Sequence, residues 1–264
     1  MMTRTSPPAF NAPPVVIALL AAIILVHLVR SVLPEELDFE LIVAFAFIPA
    51  RFGGPHGELG LPGGVAADIW TWFSYAALHA DGFHLTINSI WFLAFGSPVA
   101  RRFGMAHFLG LSAAAAAAGA GAHLVSNWGG LAPMIGASAV VSAYMGAAIR
   151  FVFDARIGLG GLASGYERVV HAPALPLLQA LRNRTVLAFL IVWFGVNFLF
   201  GVGAEEAPGV NGIVAWQAHI GGFLLGLLGF RLFDPVGRSK AGDLSARSTH
   251  LRVIDAGGEE DERL

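Results

Sequence analysis

Three short clusters of polar residues interrupt apolar stretches of this chain, and their side chains are those of nucleophilic and acid–base chemistry. The first is His79-Ala-Asp-Gly-Phe-His84-Leu-Thr-Ile-Asn88. His84 and Asn88 are four residues apart, so a helix places them on one face. They read either as hydrogen-bonding groups between packed helices or as donors in a site. No His-Glu-x-x-His pattern accompanies them, and the nearby carboxylate is Asp81, so no metal is expected. The second cluster is Met134-Ile-Gly136-Ala137-Ser138, followed by Ser142 and Gly146 at four-residue steps. Ser138 after a glycine-containing turn reads either as an N-cap or as a nucleophile beside the free N–H groups of a helix start. The third is Ala218-His219-Ile-Gly221-Gly222, with Gly226 one turn on. His219 reads as a structural hydrogen-bonding group or, opposite Ser138, as a general base.

The elements that must position these residues follow from where charge is missing. Of 264 residues, 56% are hydrophobic and 13% charged, about half the charge of an ordinary soluble domain. The net charge of −2 offers no basic footprint for nucleic acid, and the absence of cysteine removes disulfides and thiolate chemistry. Six apolar stretches, residues 15–33, 83–99, 105–125, 138–153, 185–202 and 213–233, approach the roughly 20 residues needed to cross a bilayer. The predicted fold class is therefore an all-α polytopic membrane protein with six transmembrane helices. The first stretch is read as a retained span and not a cleaved signal peptide, since Arg4 alone precedes it and no small-x-small site follows.

Arg101, Arg102, Arg150, Arg156, Arg168, Arg182, Arg184 and the basic residues after 230 fall on one side of the predicted spans; Glu35, Glu36, Asp38, Glu40, Glu205 and Glu206 fall on the other, with only Arg30 and Arg51 as basic exceptions. The positive-inside rule then puts both termini in the cytoplasm. The predicted organisation is a cytoplasmic segment 1–14, a membrane-embedded domain 15–233 and a polar, disordered cytoplasmic tail 234–264. The long first loop, residues 34–76, holds an apolar run at 41–48 that is too short to span; it is expected to lie in the interface, a loop-buried strand being the alternative. The three clusters then fall on spans two, four and six at one depth, near the outer face. That single depth disfavours a transporter or channel relay.

In this order and spacing the residues resemble the rhomboid family of intramembrane serine proteases. The resemblance covers residues 15–233 and rests on His79, His84 and Asn88, on Gly136-Ala-Ser138, and on Ala218-His219 with Gly222. It implies a six-helix rhomboid-like bundle in which Ser138 is the nucleophile and His219 its base. His84, Asn88 and the Ser138 backbone N–H would hold the oxyanion. Gly222 would permit close helix packing, and His79 and Gly136 would support the site. The sequence departs from the family pattern at Ala139, at Ser142 (commonly an aromatic that packs on the base) and at Ala100.

With no acidic residue placed to orient His219, the expected machinery is a Ser–His dyad fixed by helix packing. No cofactor is expected. The expected partners are the bilayer and transmembrane protein substrates with helix-destabilising residues near their outer end, and the expected location is a bacterial inner membrane. The stretch 201–212 is expected to act as a lid. A catalytically inactive relative that binds transmembrane helices is the alternative.

Overall fold

The computed structural model describes residues 12–52, 60–153, 170–202 and 215–236. These are mostly helical, with no strand among the described residues. Helix α1 (Pro14–Arg30) starts on a proline at its first position, where the missing N–H costs nothing. It leads into the first loop, which carries α2 (Glu35–Phe45) and α3 (Gly64–Ser74). Helix α4 (Gly82–Trp91) is capped by Asp81, whose carboxylate accepts from the His84 N–H at 2.7 Å. It runs through a π-helical turn, Phe92–Gly96, into α5 (Ser97–Ser126).

The stretch Gly82–Ser126 is long and apolar enough to cross a bilayer, and among the described residues it alone is. It is not one rod. At Gly104 the backbone turns to φ 72°, ψ 166°, a conformation that glycine adopts without steric cost, and this break separates the second and third apolar stretches. The remaining elements are α6 (Ser138–Ala148), α7 (Leu177–Leu181), α8 (Arg184–Val202), α9 (Trp216–Leu228) and α10 (Phe230–Phe233).

Helix α6 is the axis of the molecule. Every residue from Ala139 to Ala148 is buried. At 1.5 Å per residue its 11 residues extend only about 16 Å, half the thickness of a hydrocarbon core. Span four, expected over 138–153, thus ends early as a helix. The physical reason is Arg150, which is buried and donates to the carbonyls of Leu175 and Leu227, so the chain turns there. Helix α9 lies against α6 at backbone contact. A Cβ at Gly222 would overlap the Ala139 carbonyl, one at Gly226 the Ala143 carbonyl, and one at Gly146 the Phe223 carbonyl. Outward faces are apolar: α8 exposes Ile191, Val192, Phe198 and Leu199 while burying Asn197.

The first loop differs from its expected form in one respect. The run 41–48 is split: its first half ends α2, and Ala46, Phe47 and Ile48 are drawn inside the protein. Phe47 and Met134 exchange backbone bonds of 3.1 and 2.9 Å, an isolated antiparallel bridge of the kind the loop-buried alternative anticipates. The two basic exceptions of this side are internal clasps. Arg30 pairs with Asp38 at 2.7 Å and donates to the His79 carbonyl, and Arg51 donates to the carbonyls of Val43 and Pro62. Arg102 likewise is no loop charge: it is buried and forms a two-point pair with Asp234, both bonds at 3.0 Å. Asp234, the first residue of the expected tail, is therefore packed into the bundle. Residues 1–11 and 237–264 of the expected terminal segments lie outside the described residues.

Candidate active site

The chain reaches Ser138 through a segment held from one side by the first loop. Phe47 bridges Met134, the Gly136 N–H donates to the Tyr75 carbonyl at 3.0 Å, and the Ala137 N–H donates to His79 Nε2 at 3.4 Å. The last bond requires a bare Nε2. Burial, with the His84 ring as the next cause, pushes the His79 imidazole down to about 3, so it stays neutral. His79 itself is anchored by Arg30 on its carbonyl and by the His84 ring, edge-on at 5.0 Å.

This bracing delivers Ser138 to the first position of α6, with Ala137 at the cap position and no side-chain cap. The N-cap alternative for Ser138 is thereby corrected. Its hydroxyl is not turned onto the helix but lies 2.7 Å from His219 Nε2. The first N–H groups of α6 have no intrahelical acceptor, and they open beside that hydroxyl. Gly136 stands at φ 119°, which an L side chain rarely adopts. A Cβ built there would lie 2.8 Å from His84 Nε2 and 3.7 Å from Ser138 Oγ. The absent side chain is what keeps the space between His84 and Ser138 open.

His84 and Asn88 share a face of α4, as their spacing requires. Asn88 is buried and gives its amide to the His84 carbonyl at 3.0 Å, a bond within its own helix and not one between helices. His219 is held on α9 opposite Ser138 by the glycine contacts of Gly222 and Gly226. Ser142 donates to the Ser138 carbonyl at 2.8 Å and offers no ring to His219. Tyr144 points to α5, where it stacks on Phe108 and meets Ser112 at 2.6 Å.

One functional candidate escapes the sequence reading. Asn197 of α8 places Oδ1 2.6 Å from His219 Nδ1. Its signal is the one that exposes the other site residues, a single polar side chain inside an apolar stretch, Trp193-Phe-Gly-Val-Asn197-Phe-Leu. What the sequence lacks is the pairing: α8 and α9 are joined by a stretch whose length does not fix which face of one meets the other. The expected lid, residues 201–212, lies outside the described residues apart from the end of α8.

Comparison with known proteins adds a family. The family model described as Rhomboid domain matches residues 66–234. Rhomboid protease GlpG of Yersinia pseudotuberculosis (strain IP32953) is 29% identical over 163 residues, 61% of this chain and 46% of that protein. Rhomboid protease GlpG of Yersinia pestis (strain Pestoides F) is 29% identical over the same shares. The chain thus spans about half the length of the curated relatives it matches.

Proposed function

Since this chain belongs to the rhomboid family, we propose that it is an intramembrane serine endopeptidase that hydrolyses peptide bonds in or near transmembrane segments. The observation that carries the reading is the 2.7 Å contact between Ser138 Oγ and His219 Nε2. That is the distance at which a base takes a proton from a nucleophile. Ser138 Oγ attacks the peptide carbonyl carbon as its proton passes to His219 Nε2. The resulting oxyanion is held by His84, Asn88 and the N–H groups at the start of α6, and the space kept open by Gly136 supports its placement between His84 and Ser138. His219 then returns the proton to the leaving amine. Water repeats the sequence on the acyl-enzyme.

The same reading includes a bundle of six spans with both termini in the cytoplasm, a domain close to residues 15–233 and a bacterial inner membrane. Support comes from the six apolar stretches, from the Gly104 break between two of them and from the outward apolar faces. The shortness of α6 supports a Ser138 that lies partway through the bilayer and is reached by water from the outer face between glycine-packed helices. Substrates are then transmembrane helices that unwind near that face.

The test is reconstitution of the full chain in proteoliposomes with a transmembrane peptide carrying a glycine-rich outer segment. Wild type is expected to cleave it and Ser138→Ala and His219→Ala to leave it whole. Equal cleavage by Ser138→Ala would overturn the reading. No cleavage by any variant, across a panel of such peptides, would favour a relative that binds helices without cutting them.

A further inference from the structure

We propose that Asn197 is a positioning residue of this site, which makes the machinery a three-member Ser138–His219–Asn197 relay rather than a pair fixed by packing alone. The inference rests on the protease reading. It begins with the Asn197 amide, whose two ends could in principle be exchanged. The hydrogen bonds decide the orientation. Asn197 Nδ2 donates to the Trp193 carbonyl at 2.8 Å, one turn back on α8, and a carbonyl oxygen can only accept. Oδ1 is therefore the end that faces His219 Nδ1 at 2.6 Å, and an amide oxygen can only accept as well. The Nδ1 proton must lie on His219 in this arrangement. In a neutral imidazole, the proton on Nδ1 leaves Nε2 bare, and Nε2 is the atom 2.7 Å from Ser138 Oγ. Asn197 thus sets both the ring's orientation and its tautomer, with Nε2 ready to receive the hydroxyl proton.

The surroundings give Asn197 this role without a competitor among the described residues nearest the ring. Ser142, one turn beyond Ser138, spends its hydroxyl on the Ser138 carbonyl, and the Tyr144 ring is turned to α5. Helix α8 has its own reason to keep its register. Trp193 stacks on Phe223 of α9 at 4.5 Å, and Phe194 meets the same ring edge-on at 5.8 Å. These contacts fix α8 against α9 one turn from Asn197, so the amide arrives at His219 on a packed seam. The other titratable ring acting on His219 is His84 of α4. As a neutral group, Asn197 supplies a dipole and a direction, and no charge to stabilise the imidazolium.

Labelling of Ser138 in the full-length protein by a fluorophosphonate tests this, followed as a rate against pH in detergent micelles. Wild type should label and Ser138→Ala should not. Asn197→Leu should slow labelling about 100-fold, the order expected when a catalytic group loses its orientation. Its melting temperature serves as the control for folding. Asn197→Asp should restore labelling at alkaline pH and move the acid limb of the profile upward by about one pH unit or more, because a carboxylate there favours the imidazolium. Wild-type labelling matched by Asn197→Leu within twofold, or an Asn197→Asp profile with an unmoved acid limb, overturns the proposal while leaving the protease reading intact. An unlabelled wild type overturns both.

Discussion

Gly136 and His84 border the same small space, but changing each should have a different effect. On the proposed mechanism, His84→Ala removes a donor to the oxyanion and leaves the Ser138–His219 contact in place. It is expected to lower kcat about 100–1,000-fold with little change in KM, measured on a transmembrane peptide in liposomes. Gly136→Ala instead fills the space and forces an L residue into φ 119°, so it is expected to abolish cleavage and to lower stability by about 1–2 kcal/mol, read from denaturant titration in detergent. Ser138 and His219, which the structure brings into contact, stand out in the sequence, as do His84 and Asn88, because an uncharged polar group inside an apolar stretch is costly and therefore conspicuous. Asn197 meets the same criterion. It stayed out of the expected site because nothing local joins it to His219: the bond crosses between two helices, and helical phase within α8 does not say which face meets α9.

At the scale of elements, the distance between Ser138 and His219 is set by how closely α6 and α9 approach. Gly222 and Gly226 both lie on that seam, against Ala139 and Ala143. Gly222→Val and Gly226→Val should each destabilise by about 1–3 kcal/mol or more as overpacked sites, visible as a lowered melting temperature in detergent. Gly222 is adjacent to the site and Gly226 one turn away, so cleavage should fall further for Gly222→Val at matched stability. That the chain is mostly helical is legible in its runs without charge, and the Gly104 break falls between two of the expected stretches, while short helices such as α3 and α7 carry no such signal. The ends were less legible. The stretch 138–153 stops being helical after Ala148, where Arg150 turns inward to two carbonyls. The apolar run at 41–48 hid a change from helix to buried bridge, because composition is the same on both sides of that change while the partner, Met134, lies far along the chain.

For the whole molecule, the scarcity of charge has a second meaning beyond topology. Several of the few charges tie distant parts together: Arg30 joins α1 to the first loop, and Arg102 joins α5 to the end of α10 through Asp234 while its face lies over the Phe151 and Phe230 rings at 4.8 and 5.5 Å. Asp234→Ala leaves Arg102 buried without its carboxylate and is expected to cost about 3–5 kcal/mol in denaturant unfolding, with the labelling of Ser138 unchanged at low temperature, since the pair lies away from the site. A reading from sequence counts Arg102 as a loop charge, because its partner Asp234 lies 132 positions away. Whether Ser138 is a nucleophile activated by His219 is decided by mapping the covalent adduct of a fluorophosphonate on the chain by peptide mass spectrometry. One adduct on the peptide containing Ser138, lost in His219→Ala as well as in Ser138→Ala, is the expected result. An adduct on another serine, or one on Ser138 that persists undiminished in His219→Ala, would contradict it.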